Sequence, residues 1–546
     1  MKAIFCGINS KYIHTNLAIR YLCAYASKHT GGLDLEIFED TVNSPIDGVL
    51  KAILDREPDV LLFSVYIWNV NYIKDLCRLI RQRAPHIVIC MGGPEVSHNT
   101  EFYLDTGLAD FVQRGEGERP AAELLKSIAN KTPVPEDLGI CYTDDDGKVL
   151  SEAYFEPFLD ELESPYTEEY LSAIKGRLAY FESSRGCPFS CAFCLSGAHK
   201  GVRNFNMEYV KASLLSLWDS GAKTVKFVDR TFNADYRRAD EIISFILEHS
   251  PHKPKTCFHF EIAADILADS TLKLLSGAPE GLFQVEAGLQ SFNPQTLDAV
   301  TRKNDTQKVC DNVSKILTCK NVHTHIDLIA GLPHEDFASF RVSFNRAFEL
   351  GADMLQLGFL KLLYGSVLRQ KHKEFGIVFE PDAPYTVIKT DCLSEVEIKK
   401  LYDVEDANEK IYNSHRFESS LDYVLKVSKE TPFDLFLGFG KQPTMSLDAY
   451  TDKLFEYFAS RQGVEKSVLR DKMCIDRLST NNTGILPPSL RVFDDKLGGI
   501  ARRLDDIPRQ KGAKRVVCIL YSQNKAVYAD YVKNTPPPYQ LHYVDI

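Results

Sequence analysis

The sequence predicts an α/β protein in which two strand-and-helix domains stand in tandem ahead of a mainly helical C-terminal domain. Three observations carry that reading. Residues 1 to about 135 alternate short β-rich runs with amphipathic stretches, the alternation returns from 178 to about 375, and helical periodicity dominates from 376 to 546. At 546 residues the chain exceeds one core, since a domain takes about 100–200 residues.

In the first region KAIFCGI, LDLEIFE, DVLLFSVYI, HIVICMGG and ADFVQRG read as five strands, with helices at HTNLAIRYLCAYASKH, IDGVLKAILDR and VNYIKDLCRLIRQRA. Strands alternating with helices imply a parallel sheet covered on both faces, with ligands at the carboxyl ends of the strands. The candidate ligand loops are INSKYIH, SVYIWN, GGPEVS and RGEGE, and they contain Ser64, Gly92 and Gly93. The two glycines let backbone approach a ligand closely, although either alone reads equally well as a tight turn. Residues 136–177 carry Pro, Gly and acidic residues and read as a short hairpin and a linker.

From 178 to 375, AYFESSR, TVKFVD, CFHFEIAA, LFQVEAGLQ, HTHIDLIAGL and MLQLGFL are candidate strands. Six such units fit a TIM-like (β/α)6 barrel, whose reacting groups sit at strand C-termini. The last region shows helices such as SEVEIKKLYDVEDANEKIYN and LDAYTDKLFEYFASRQ, then two strands, KRVVCILYS and KAVYADYV, before the turn-rich NTPPPYQ. It carries no motif with a chemical meaning.

The composition, 44% hydrophobic and 25% charged, is that of a soluble globular protein. A net charge of -11 favours a small or neutral partner and disfavours nucleic acid, whose phosphates are bound through clustered Lys and Arg. No leader peptide and no stretch of 18 apolar residues is visible, which predicts a cytoplasmic protein without membrane contact. The 14 cysteines are scattered, and reduced thiols are the expectation. Cys6, Cys23, Cys77, Cys90, Cys310 and Cys518 lie in apolar patterns as small buried hydrophobes.

Three other cysteines stand apart. Directly after AYFESSR comes GCPFSCAFC, which puts Cys187, Cys191 and Cys194 on one loop in C-x3-C-x2-C spacing. Composition alone would produce that spacing in about one chain in a hundred. Its position is more telling, because the loop leaves the first barrel strand at the end where such folds keep their chemistry. Three thiolates suit an iron–sulfur cluster, whereas structural zinc sites close with four ligands. One iron then stays open.

On these residues the sequence resembles the radical S-adenosylmethionine (SAM) superfamily over residues 178 to about 370. The resemblance implies that Cys187, Cys191 and Cys194 hold a 4Fe-4S cluster whose open iron chelates SAM, and that the backbone at Phe193 faces the adenine. QVEAGLQS, HIDLIAGLPHED and LKLLYGSVL look like the later strand motifs of the coproporphyrinogen-oxidase-like branch. Glu286 and Gln290, on alternate positions of one strand face, can both point into the barrel toward SAM. Glu286 reads otherwise as an ion-paired core carboxylate. Asp229 and Arg230 in KFVDRTFN are either SAM contacts or a buried pair that braces the barrel.

An α/β domain ahead of this barrel resembles the cobalamin-binding radical SAM family, here a subgroup with its own C-terminal domain, and makes residues 1–135 a Rossmann-like cobalamin-binding domain. Many such domains carry D-x-H-x-x-G after the first strand, whereas this chain reads N-S-K-Y-I-H from Asn9. His14 is therefore expected as a capping or surface residue, and cobalamin as base-off without a His ligand. Methylthiotransferases share the architecture but bind a second cluster through three N-terminal cysteines. Cys6 and Cys90 in strands and Cys23 and Cys77 in helices do not supply one. The resemblance implies a radical enzyme, with methyl transfer to a carbon of a small substrate and an electron donor such as flavodoxin or ferredoxin. Cyclisation or rearrangement without methyl transfer, and a cofactor-binding sensor without turnover, are the alternatives.

Overall fold

A computed structural model describes residues 1–196, 201–253, 255–482, 485–492, 495–505, 507–509 and 512–546. The first sheet contains β1 (Lys2–Asn9), β2 (Asp34–Thr41), β3 (Val60–Ser64), β4 (Val88–Gly92) and β5 (Phe111–Gln113), the five strands read from sequence. They pair in parallel in the order β2-β1-β3-β4-β5. Seven of eight β1 residues and all of β3 are buried, as strands covered by helices on both faces must be. The helices Leu17–His29, Ile46–Leu54 and Val70–Arg83 supply that cover. Strand order reverses between β1 and β3, which opens a crevice at their carboxyl ends.

The hairpin of residues 136–177 does more than link. Its strands β6 (Ile140–Asp144) and β7 (Gly147–Val149) extend the same sheet antiparallel, with Phe111 opposite Tyr142. The sheet therefore runs past residue 135, because a free β5 edge would leave its backbone groups unpaired.

The second sheet is built from β8 (Leu178–Phe181), β11 (Thr224–Phe227), β12 (Cys257–Ile262), β13 (Phe283–Gln290), β14 (His323–Ala330) and β15 (Met354–Phe359), in that spatial order. This is the six-stranded barrel sheet expected. An antiparallel ladder of β9 (Ser184–Cys187) and β10 (Gly201–Asn204) stands beyond the end of β8. Asn206 and Asp235 cap the helices Met207–Asp219 and Tyr236–His249 by accepting from backbone N–H groups of their first turns.

By compactness the chain divides into residues Met1–Glu335 with Gly358–Leu393, and Asp336–Leu357 with Ser394–Ile546. The second unit is mainly helical, as predicted. Phe344 packs edge-on against Phe433 and Phe436 in its interior. It also holds three antiparallel strands, β18 (Lys514–Leu520), β19 (Lys525–Tyr531) and β20 (Leu541–Asp545), of which the last was not read from sequence. Two short strands, β16 (Val378–Phe379) and β17 (Val387–Lys389), belong to the first unit.

None of the 14 cysteines is joined in a disulfide. Cys6, Cys77, Cys90 and Cys518 are buried as expected, while Cys23 and Cys310 are only half-buried. Among the described residues no helix is long and apolar enough to cross a membrane.

Candidate functional site

The loop from Cys187 to Cys194 is fixed by backbone bonds to distant segments. The Ala192 N–H donates to Val300 O at 2.9 Å, Leu368 N–H donates to Ala192 O at 2.8 Å, and the Thr301 hydroxyl donates to Ser190 O at 2.6 Å. Each thiol has a polar neighbour. Cys187 Sγ lies 3.4 Å from Thr231 Oγ1, Arg302 Nη1 donates to Cys191 Sγ at 3.6 Å, and Ser196 N–H donates to Cys194 Sγ at 3.4 Å. Burial pushes the Cys191 thiol up, and the Arg302 guanidinium works against that shift. Cationic and N–H donors around sulfur favour its thiolate form, which is what an iron ligand must be.

Among the described residues, no three His, Cys, Asp or Glu side chains gather closely enough to hold a single metal ion. Three thiols carried on one short loop, each with a polar neighbour at its sulfur, are a donor set that fits an iron–sulfur cluster held by three thiolates.

Asp229 is fully buried and accepts from Ser183 N–H at 2.9 Å, Ser183 Oγ at 2.6 Å and Ser184 Oγ at 2.6 Å. Burial raises its carboxyl and these bonds pull it back. It has no bond to Arg230, which is exposed and lines the cleft described below. The Asp229–Arg230 brace, one of the two readings, is not formed; Asp229 clamps Ser183 and Ser184 instead, while Arg230 stays on the exposed cleft wall. The clamp anchors β9, the strand that ends in Cys187.

Glu286 is ion-paired, as its second reading held. His259 Nε2 is 3.0 Å and Lys226 Nζ 3.4 Å away. Burial raises its carboxyl, yet the His259 hydrogen bond and the Lys226 charge outweigh it and bring the value to about 2. Its neighbour Asp327 moves the opposite way, driven up by burial and by the Glu286 charge. Gln290 does not share the row of Glu286. A bulge after Gly288 leaves Gln290 opposite Leu328, with φ at 72°. Its side chain folds back so closely that a Cβ on Gly288 would meet Gln290 Nε2 at 2.4 Å. Gln290 Oε1 is buried without a hydrogen-bond partner among the described residues, an acceptor waiting for a ligand's donor. Phe193 is half-buried within the cluster loop.

A cleft of about 1150 Å³ opens at the carboxyl ends of β1, β3, β4 and β5 and runs to the barrel. Ser64, Gly92 and Gly93 line it from one side, and Arg185, Gly186, Leu195 and Ser196 of the cluster segment from another. Its volume exceeds the ~300–1,000 Å³ common for drug-sized ligands, which is room for an unusually large one. Gly93 is glycine for a reason other than the one read from sequence. Its φ is 111°, and a Cβ would meet Val65 O at 2.5 Å, so it lets the loops after β3 and β4 close on each other. At Gly92 a Cβ would meet only Gln113 Cβ at 3.6 Å.

His14 is not a cap. Asn16 holds that place by accepting from Ile19 N–H at 3.3 Å. His14 is half-buried on the cleft wall, with Nδ1 2.9 Å from the Tyr180 hydroxyl of β8. Burial, together with the charges of Lys11, Lys226 and Arg177, lowers its imidazole below the usual histidine value.

Sequence reasoning missed the charges joining the two domains. Arg185, two residues before Cys187, pairs with Glu116 at 3.1 Å, Glu118 at 2.6 Å and Glu182 at 3.0 Å, and Arg203 of β10 also pairs with Glu116. Burial pushes the Glu182 carboxyl up to about 6, against the pull of Arg185. The signal was present as acidic residues in RGEGE and an arginine ahead of the first cluster cysteine, on loops assigned to the same ends of two sheets.

Comparison with known proteins agrees with this geometry. A model of the B12 binding domain matches residues 5–125, one of the radical SAM superfamily residues 181–347, and one of a protein of unknown function, DUF4080, residues 373–510. The cobalamin-dependent radical SAM methyltransferase TokK of Streptomyces tokunonensis is 26% identical over 425 residues, 70% of this chain and 59% of its own length. The 2-(S-pantetheinyl)-carbapenam-3-carboxylate methyltransferase of Streptantibioticus cattleyicolor is 27% identical over 340 residues, 56% of this chain and 47% of its own. The chain thus spans about half the length of the curated relatives it matches. The fold is that of the cobalamin-dependent radical enzyme OxsB with aqua-cobalamin and SAM bound, at a TM-score of 0.61 and 14% identity, over 93% of this chain and 75% of that one. These matches imply a 4Fe-4S cluster and SAM for the barrel and cobalamin for the first domain. One chain thus combines a B12 binding domain with a radical SAM domain and a C-terminal DUF4080 region, and is similar to the cobalamin-dependent radical SAM enzymes.

Proposed function

We propose that the protein is a cobalamin-dependent radical SAM enzyme that transfers a methyl group to a carbon of a small substrate. The observation that carries this reading is one cleft lined both by the loops of the cobalamin-binding domain and by the segment bearing Cys187, Cys191 and Cys194. When bound, the cluster supplies the electron that cleaves SAM to a 5'-deoxyadenosyl radical, and the cobalamin supplies the methyl group. In this reading the three thiolates hold the cluster, and Arg302 and Thr231 steady Cys191 and Cys187 through their contacts to sulfur. Gln290 Oε1 would accept from a hydroxyl or amine of SAM, the Phe193 backbone would face its adenine, and Glu286 holds Lys226 and His259 in place. Ser64, Gly92 and Gly93 form the corrin cradle, and Asp229 holds β9 in place. The packed loops around the cleft keep water from the radical.

Methyl transfer is supported by the names of the relatives, three of which are methyltransferases and a fourth a hopanoid C-3 methylase. Others are a 4'-phospho-dehydrooxetanocin synthase and an anaerobic magnesium-protoporphyrin IX monomethyl ester cyclase, 26% and 27% identical over 187 and 195 residues, which favours cyclisation or rearrangement as a second reading. A cytoplasmic setting and a flavodoxin or ferredoxin as reductant complete the proposal. The test is anaerobic reconstitution with iron, sulfide and methylcobalamin, dithionite as electron source, and candidate substrates. Release of 5'-deoxyadenosine with a product one methyl heavier supports it. Deoxyadenosine with a product of unchanged carbon count supports the second reading, and no deoxyadenosine above that of Cys191→Ala returns the chain to a cofactor-binding sensor.

A further inference from the structure

Two bridges connect the cleft loops of the first domain to the cluster loop. In the first, Arg185 precedes Cys187 by one residue in between and has a side chain only 10% exposed. Its guanidinium grips Glu116 and Glu118, which belong to the cleft-lining loop after β5, together with Glu182. In the second, Leu368 N–H donates to Ala192 O at 2.8 Å, between the second and third cluster cysteines. The same segment continues to Tyr385, whose hydroxyl donates to the buried Glu95, two residues beyond Gly93. Arg369 ties its two ends by lying over the Tyr364 ring at 3.6 Å and the Tyr385 ring at 4.7 Å. Each cradle loop is thereby held to the cluster loop by a separate route.

We propose that Arg185 and Tyr385 are positioning residues that couple the two cofactor sites, so that a bound cluster raises the affinity for cobalamin and bound cobalamin in turn steadies the cluster loop. The inference rests on the cofactor assignment of the proposed function, and adds to it a linkage between sites. The physical basis is ordering. A ligand that fixes one end of a buried charge network or a hydroxyl–carboxylate strap lowers the entropy lost when the other end is fixed, and such coupling is reciprocal.

The test uses the full chain, with aquacobalamin affinity measured by absorbance titration on cluster-free and cluster-reconstituted protein. Coupling of ordinary size makes the reconstituted form bind at least about fivefold more tightly. Arg185→Gln, and independently Tyr385→Phe, which removes one oxygen and keeps the ring, should bring that ratio below about twofold. The reverse reading is spectroscopic: with both groups fully reduced by dithionite, so that the corrinoid is cob(II)alamin, its presence should shift the g-values of the reduced cluster's electron paramagnetic resonance signal in the wild-type chain and not in either variant. Equal affinity with and without cluster overturns the proposal. So does a variant that weakens both states by the same factor, which is what a purely structural brace would do. Failure of aquacobalamin to bind either form overturns the cofactor assignment along with it.

Discussion

Adjacent glycines at the mouth of the cleft offer a test with its own control. At Gly93, φ 111° and ψ 170° lie in a region reserved for glycine, and an added Cβ would stand 2.5 Å from Val65 O and 3.1 Å from Val65 N. Both obstacles are backbone atoms. Neither can rotate away as a side chain would. Forcing alanine into such a conformation costs about 1–3 kcal/mol, and overpacking adds a similar amount, so Gly93→Ala should destabilise the first domain by about 3 kcal/mol. At 2–4 °C per kcal/mol for a domain of this size, that is a fall in Tm of about 6–12 °C. Relief of the clash must separate the loops after β3 and β4, which also line the cleft, so cobalamin affinity falls as well. Gly92→Ala meets only Gln113 Cβ at an ordinary 3.6 Å and should stay within about 0.5 kcal/mol of wild type. Calorimetry of the full chain and cobalamin titration read both effects. Equal behaviour of the two variants, or a Gly93→Ala loss under about 1 kcal/mol, would refute the packing argument.

Three further outcomes are expected. Cys191→Ala should abolish cluster loading and deoxyadenosine release, while Cys77→Ala, buried in the helix Val70–Arg83, keeps its iron; iron analysis and chromatography decide, and cluster retention in Cys191→Ala would contradict the ligand assignment. Asp229→Ala leaves three donors of Ser183 and Ser184 unmet inside the protein and should cost about 3–5 kcal/mol with reduced iron uptake, whereas a denaturant midpoint near wild type would remove the clamp from the account. His325 is held down to about 4, first by burial and then by the charges of His323 and His259, with Glu286 and Lys226 also facing it. The unfolded chain takes up this proton near pH 6.5 and the folded chain only near pH 4, so stability falls across that window as the pH drops, by at most about 3 kcal/mol. His325→Gln should remove that slope, and a wild-type-minus-variant difference that stays flat from pH 6.5 to 4 would falsify the assignment.

Much of this architecture is written in local pattern. The runs KAIFCGI and DVLLFSVYI are nearly continuous apolar stretches, because strands between two helical layers have no wet face, and that run of apolar residues locates β1 and β3. The cluster loop is equally legible, since its ligands are close together in sequence. What escaped depends on partners far away. The hairpin of β6 and β7 joins the first sheet only through pairing with β5, and LHYVD becomes β20 only because β19 lies beside it. The bulge that turns Gln290 off the Glu286 row leaves no mark in a two-residue alternation. Opposite charges in RGEGE and SSRGC were visible separately, yet sequence does not tell which carboxylate an arginine will choose.

The discontinuity of the two units bears on how the polypeptide can be cut. The match to DUF4080 starts at residue 373, inside the strap that returns to the first unit through Leu393. A polypeptide stopped at 372 would lose Tyr385 and the Val387 N–H bond to Leu360 O, and with them one anchor of the Gly93 loop. The helix Phe337–Glu349, although it precedes β15 in the barrel order, groups with residues 394–546. Exchanging C-terminal domains among relatives therefore requires two splices rather than one, and truncation is best placed after Leu393 with that helix's apolar face redesigned for water.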